Sequence, residues 1–270
     1  MDNQKGKENT QKIFDAASHG YDGKELRFFS DSSKVMISEM KLSGSEKVLD
    51  VATGTGYCAL EIAKSLPGGK VVGIDLSSGM LEKAQAKMNS QGIENAEFKI
   101  MDMEVLEFAD EHFDIAVCSF GIFFIEDMQG LLQGISKKVK GDGKIVVSTF
   151  TESSFTPLTD LFMKRLKKYG VQIPEMPSRN VNSKEKCFDL FSSAGFSEVA
   201  VVEKDLGYFL KNSSEWWNVI QGAAFRGLVS QLPAEKLAVF KEEHLTEVEN
   251  LKTGDGIWLE VKVLYTTGMK

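Results

Sequence analysis

An aspartate set just before a glycine-rich turn gives this chain its clearest chemical signal: Asp50 in "VLDVATGTGYCAL", Val48 to Leu60. Gly54 and Gly56 let a backbone approach a ligand closely, because no Cβ stands in the way. "GTGYCA", Gly54 to Ala59, also fits the G-x-G-x-x-G/A turn of dinucleotide-binding proteins, with Asp75 at the end of the next apolar run placed to hold a ribose hydroxyl. Two features turn the expectation away from a dinucleotide. Asp50 would repel a pyrophosphate, and the turn holds no arginine or lysine to offset that repulsion. A cationic ligand suits this position better.

Proton-transfer chemistry has few carriers here. His19, beside Tyr21 in "IFDAASHGYD", is the histidine to test as a base, since imidazole titrates near neutral pH. Tyr21 reads either as a hydroxyl closing over a cofactor or as an aromatic packed at a helix end. His112 in "ADEHFD" precedes the fourth apolar run, at the end of a sheet away from ligands. His244 lies on the stripe Leu237, Phe240, Val248 and Leu251, the place of a core histidine. Cys58, Cys118 and Cys187 lie far apart inside apolar stretches without C-x-x-C spacing. They read as buried thiols of a reducing compartment, and no metal site is expected.

The elements that must carry these residues follow from hydrophobic rhythm. "TQKIFDAASHGYDG" and "ELRFFSDSSKVMISEMK" read as two N-terminal helices. From residue 46 the short apolar runs "KVLDVA", "KVVGIDL", "AEFKIM", "FDIAVCSF" and "GKIVVSTF" alternate with amphipathic helical patterns, which predicts a doubly wound parallel α/β sheet with helices on both faces. Ser77 is placed to cap the second of those helices, while Gly68 and Gly141 are placed to end the first and third in a left-handed conformation. Beyond residue 150, "SEVAVVEKDLGYFL" and "GIWLEVKVLYT" read as strands, with the helical segments "SEWWNVIQGAAFRG" and "PAEKLAVFKEEHLTEVENL" between them.

A chain of 270 residues with 42% hydrophobic and 26% charged residues makes one large domain, or one domain with a sizeable insertion. Its net charge of -7 and pI near 5.2 argue against binding a phosphate backbone, which needs a basic surface, so nucleic acid is not an expected partner. The polar start "MDNQKGKENTQK" has no signal-peptide core, and no later stretch reaches membrane-spanning length; a cytoplasmic protein is expected.

"VLDVATGTG", "VVGIDLSSGML", "IMDMEVLEF", "FDIAVCSFGIFF" and "KGDGKIVVSTF", in that order and spacing, resemble the successive motifs of class I S-adenosylmethionine-dependent methyltransferases, nearest the ubiquinone/menaquinone methyltransferase-like small-molecule group. The likeness is good over residues 11 to 150 and loose beyond. It implies a Rossmann-like, mostly parallel sheet of seven strands with the last antiparallel, N-terminal helices, and a helical cap inserted before the last strand. The domains expected are a helical leading segment at 1–42 and a methyltransferase domain at 43–270, with cap insertions near 151–182 and 212–253. The resemblance further implies S-adenosylmethionine as cofactor and S-adenosylhomocysteine as product. Gly54 and Gly56, with Ala52 and Thr53, would approach its methionine part, and Asp50 would anchor the amino group. Asp75 would bind the ribose, Leu76 and Met80 the adenine face, and Asp102 and Met103 the adenine edge. Ser119 and Phe120 would lie under the methionine chain, and Tyr21 would close over it. Asp75 and Asp102 also admit a simpler reading as caps of the helices that follow, and Met80 and Leu76 as core.

Two departures bear on the methyl acceptor. The quinone-modifying members carry a glycine-leucine-arginine-asparagine segment after the fourth strand, where this chain has "FGIFFIED" with Phe123 and Phe124. The inserted helices bring Trp216, Trp217, Arg226 and His244, expected to form a cap that excludes water. Phe28, Phe123, Phe124, Trp216, Arg226 and His244 are the expected acceptor contacts, with His19 and Tyr21 the candidate catalytic groups. The expected partner is a small, aromatic or apolar methyl acceptor, and the protein a monomer or homodimer. Quinone-ring C-methylation stays open as an alternative, as do a non-catalytic S-adenosylmethionine-binding protein and an NAD-dependent oxidoreductase.

Overall fold

The structure, a computed structural model, describes residues 3–270, with side chains from residue 5. The chain divides into two compact units. One holds Phe29–Glu152, Pro177–Lys204 and Val263–Lys270; the other holds the chain up to Phe28, Ser153–Met176 and Asp205–Lys262. In chain order the elements are α1 (Asn3–Ala17), α2 (Phe28–Met40), β1 (Lys47–Val51), α3 (Tyr57–Lys64), β2 (Lys70–Asp75), α4 (Ser78–Ser90), β3 (Ala96–Ile100), β4 (Phe113–Ser119), α5 (Met128–Lys138) and β5 (Val139–Phe150). They continue with α6 (Leu158–Lys168), α7 (Lys184–Ser193), β6 (Ser197–Asp205), β7 (Tyr208–Leu210), α8 (Ser213–Gly222), α9 (Arg226–Val229), α10 (Ala234–Glu249), β8 (Ile257–Leu259) and β9 (Lys262–Met269).

The sheet unit is a Rossmann-like fold. Its seven strands run β3-β2-β1-β4-β5-β9-β6, parallel from β3 through β5, with β9 antiparallel to β5 in the register Thr149↔Leu264. The apolar runs make central strands because parallel strands covered on both faces carry continuous hydrophobic side chains. Val48, Leu49 and Val51 of β1 are fully buried, and α5 lays Leu132 and Ile135 on the same core. The strand order reverses at β1, whose Asp50 lies between Gly73 of β2 and Val117 of β4. Open α/β sheets bind ligands beyond the strand ends at such a switch point.

Several boundaries differ from the sequence expectation. The 1–42 segment divides at Phe28/Phe29, because α2 belongs to the sheet unit: Tyr265 Oη of β9 donates to Ser32 Oγ at 2.8 Å, and Lys144 donates to the Met40 carbonyl. The two insertions fall at Ser153–Met176 and Asp205–Lys262, since Val181 and the turn around it pack with β5, where Thr149 Oγ1 donates to the Val181 carbonyl at 2.8 Å. Each of the long late strands is broken in two, at Leu206–Gly207 and at Glu260–Val261, and the outer pieces β7 and β8 form a separate antiparallel pair. Gly207 permits this, because a Cβ there would lie 2.4 Å from the Trp258 ring. Ser77 does cap α4, accepting the Met80 amide at 3.1 Å. Gly68 and Gly141 do not serve as left-handed caps: α3 ends at Ser65 in a right-handed conformation, and α5 passes directly into β5, which contains Gly141.

The second unit packs α6, α8 and α10 around Phe162, Trp216, Phe240 and His244, all fully buried. Arg165 ties α6 to α10 through ion pairs with Glu243 and Glu247.

Candidate functional site

The C-terminal ends of β1, β2 and β4 gather the residues of the glycine turn. Asp50 is fully buried; its Oδ2 accepts the Thr53 hydroxyl at 2.5 Å, and its Oδ1 has no hydrogen-bond partner. Removal from water pushes the Asp50 carboxyl up to about 7, with the Thr53 hydroxyl and the Ala59 backbone amide opposing the rise and the nearby charge of Asp75 adding to it. Thr53 is itself pinned to β2 by its amide on the Ile74 carbonyl at 2.8 Å. Asp75 spans the next step of the turn: one carboxylate oxygen accepts the Gly54 amide at 2.8 Å and the other the Ser77 amide at 2.9 Å.

The two glycines do different work. Gly56, at φ 80°, leaves no room for a side chain, because a Cβ would lie 2.9 Å from Ala84 Cβ and 3.2 Å from Phe98. Gly54, at φ 56°, faces open space within 4 Å of its missing Cβ. Ala52 and Phe120 adopt the left-handed region as well, at φ 56° and 55°, although neither is glycine. Such strain persists where surrounding structure over-determines it, and it clusters at functional sites. These two bends face each other across Gly121, where a Cβ would lie 2.7 Å from Ala52 Cβ.

An unpartnered, fully buried carboxylate oxygen beside a glycine with open space is what a bound ammonium would complete. A phosphate at Oδ1 would be repelled by the ionised carboxylate, although the structure brings one cation to the turn that the sequence did not show there, Lys87 on Thr55 Oγ1. The donor set therefore fits a cationic amino-acid-bearing cofactor. On the adenine side of the expected site, Leu76 is half-buried and Met80 is buried in the first turn of α4. Asp102 caps its own turn, accepting the Glu104 amide at 2.9 Å, and Met103 packs partly against the core. Neither Asp75 nor Asp102 caps a helix: Ser77 caps α4, no helix follows Asp102 before β4, and each carboxylate accepts an amide two residues further on.

Beyond β4 and β5 lies an aromatic wall. The Phe120 and Phe150 rings stack at 4.3 Å with 15° between planes, and Phe29 meets Phe120 edge-on at 5.4 Å. Phe123 and Phe124 form the half-buried turn next to them, with Phe123 6.4 Å from Phe150. Ser119 Oγ and Ser148 Oγ lie 3.1 Å apart at the ends of the same two strands. Phe150 and Ser148 were missed by the sequence reading; their signal was the end of the fifth apolar run, "KIVVSTF". No residue pattern signals that Lys87 reaches the glycine turn, which it does through Thr55 Oγ1 at 2.9 Å.

The other expected site residues belong to the second unit. His19 is exposed and Tyr21 half-buried in the turns after α1. Phe28 is buried with its ring 5.5 Å from Phe155, and Arg226 donates to Gln221 Oε1 at 3.3 Å. Trp216 and His244 are paired inside the unit, the indole N–H donating to His244 Nε2 at 2.9 Å. Because indole only donates, Nε2 must be unprotonated and the imidazole proton sits on Nδ1. Burial, with the charge of Arg165, pushes His244 down to about 4, so it is neutral as the core of this unit. The exposed His112 precedes β4 at the opposite end of that strand from Ser119. All three cysteines are buried and free, with the Cys118 thiol pushed up to about 12 by burial, so none offers a thiolate.

Comparison with known proteins places this geometry in a family. Residues 42–214 match the model of a methyltransferase domain. A ubiquinone/menaquinone biosynthesis C-methyltransferase of Citrifermentans bemidjiense is 37% identical over 140 residues, covering 50% of this chain and 60% of that protein. This chain thus spans less than two thirds of that relative. An aklanonic acid methyltransferase of Streptomyces sp. is 28% identical over 162 residues, covering 56% of this chain and 74% of the other. The crystal structure of the YcgJ protein of Bacillus subtilis shares the fold at a TM-score of 0.59 and 22% identity, covering 89% of this chain and 98% of that one. With a matching domain model over more than half its length, and a seven-stranded sheet that carries the glycine turn at its switch point, the chain belongs to the methyltransferase domain family.

Proposed function

We propose that this protein is an S-adenosylmethionine-dependent methyltransferase acting on a small molecule with a flat, apolar body. The observation that carries the proposal is the unpartnered Oδ1 of buried Asp50 beside the open face of Gly54. A cofactor ammonium would satisfy that oxygen. Asp50 would hold the amino group, Asp75 the ribose, Leu76, Met80, Asp102 and Met103 the adenine, and Ser119 and Phe120 the methionine chain. When bound, the cofactor supplies a methyl group on a sulfonium, a good leaving group. The protein's share is then to hold acceptor and cofactor in line and to exclude water. Tyr21 and His19 are the groups we propose as proton acceptors where the acceptor is a phenol, enol or thiol.

The stacked rings of Phe120 and Phe150, with Phe29, Phe123 and Phe124, support an aromatic acceptor. Phe28, Trp216, Arg226 and His244 remain the proposed acceptor contacts. The C-methyltransferase relatives favour quinone-ring methylation as a second reading, against which stands "FGIFFIED" in place of the polar segment of that group. No helix among the described residues is long and apolar enough to cross a membrane. A cytoplasmic monomer or homodimer is our proposal for its setting.

The test is calorimetric titration with S-adenosylmethionine and S-adenosylhomocysteine, with NADH as control and Asp75→Ala beside wild type. Binding of both in the micromolar range, lost in the variant, supports the proposal. Tighter binding of NADH, or no binding of either, sinks it. A panel of phenols, quinols, amines and thiols then separates an enzyme from a cofactor-binding protein, which would bind without turnover.

A further inference from the structure

Lys87 lies outside every motif in the sequence, yet its side chain reaches the glycine turn. It stands in the last turn of α4, where its Nζ donates to Thr55 Oγ1 at 2.9 Å and lies 3.8 Å from the centre of the Tyr57 ring. Thr55 is buried between Gly54 and Gly56, and Tyr57 opens α3. One turn earlier, on the same side of α4, Ala84 presses against Gly56. The helix therefore grips the turn twice, by close packing at Gly56 and by an ammonium at Thr55 and Tyr57. From the opposite flank, Asp75 holds the Gly54 amide.

We propose that Lys87 is a positioning residue for cofactor binding, which orders the Gly54–Tyr57 turn before the cofactor arrives. This rests on the methyltransferase reading above. Glycine loses more conformational freedom on ordering than any other residue, this turn holds two, and whatever ordering is not done in the free protein is charged against binding. Lysine has donors only, so Thr55 Oγ1 must accept, and a charged donor makes a stronger bond than a neutral one. The Tyr57 ring adds a cation–π contact to the same ammonium.

Lys87→Met keeps the apolar stem and removes the charge. The dissociation constant for S-adenosylhomocysteine is expected to rise about three- to tenfold, because the lost bond orders the turn rather than touching the ligand and only part of its strength passes into affinity. Lys87→Arg is expected to restore it. Thr55→Val should reproduce the loss, and the double variant should be no weaker than either single one, because both remove one bond. Amide exchange at residues 54–57 of the free protein should quicken in Lys87→Met, a readout that needs no cofactor. Unchanged affinity in Lys87→Met overturns the proposal. So does a parallel fall of affinity and melting temperature that arginine does not rescue, which would mark a general loss of fold. Failure of the wild type to bind the cofactor would overturn the methyltransferase reading instead, and the amide exchange would still decide the role of Lys87.

Discussion

On the proposed reading, in which a cofactor ammonium sits on Asp50, cofactor binding becomes a proton-linked event with a calculable size. In the free protein its carboxyl sits at about 7, against 3.8 for an exposed aspartate, because it is fully buried with one oxygen unpaired. About three units at about 1.4 kcal/mol each bound the strain of the ionised form at about 4 kcal/mol. A cation placed on Oδ1 returns the group toward its ordinary value, so binding below about pH 7 must expel a proton. Affinity for S-adenosylhomocysteine should climb up to about tenfold per pH unit below that value and level off above it. Calorimetry in buffers of different ionisation heat counts the protons directly. The ligand's own ammonium titrates alike in wild type and Asp50→Asn, so their difference isolates Asp50. The folded-state value is raised, so the destabilisation grows as pH rises from about 4 through 7 and is complete above it. Asp50→Asn should therefore melt at a higher temperature than wild type at about pH 8 while binding the cofactor more weakly. A variant that loses stability and affinity together at that pH, with no difference in proton release, would refute the reasoning.

His244 gives the opposite pH signature: its value is lowered to about 4, so the fold holds it neutral, and stability should fall as pH drops from about 6.5 toward 4. His244→Gln keeps an acceptor for Trp216 and should flatten that slope in urea denaturation. The two glycines of the turn should separate cleanly. Gly54→Ala meets only backbone strain of about 1–2 kcal/mol, whereas Gly56→Ala adds a clash with Ala84 and should lose more, as read from urea midpoints. Phe150→Leu should leave S-adenosylhomocysteine affinity within about twofold while weakening binding of flat aromatic acceptors, measured by competition on the cofactor-loaded protein. Equal losses for both ligands would place Phe150 in general packing.

Much of the sheet unit was legible from residues 46 to 150, because fully buried parallel strands must be apolar along their whole length and their helices must show one apolar face. "VLDVATGTG" and "VVGIDL" likewise announced their own chemistry: Asp50 and Gly54 share one strand end, and Asp75, at the end of the next strand, reaches them through the expected parallel pairing of β1 and β2. Three things were decided only by the tertiary structure. Whether Asp50 keeps an unpaired oxygen depends on what β2 and β4 place beside β1. Lys87 meets Thr55 across 32 residues, and Phe150 stacks on Phe120 only because β4 and β5 are neighbours in register. The break of the two late strands into β7 and β8 was also hidden, since alternating apolar residues look the same in one strand or two. Sequence pattern reports each segment's need to bury a face. Which faces meet, and which polar atoms are left without a partner, is settled by the packing of segments far apart in the chain.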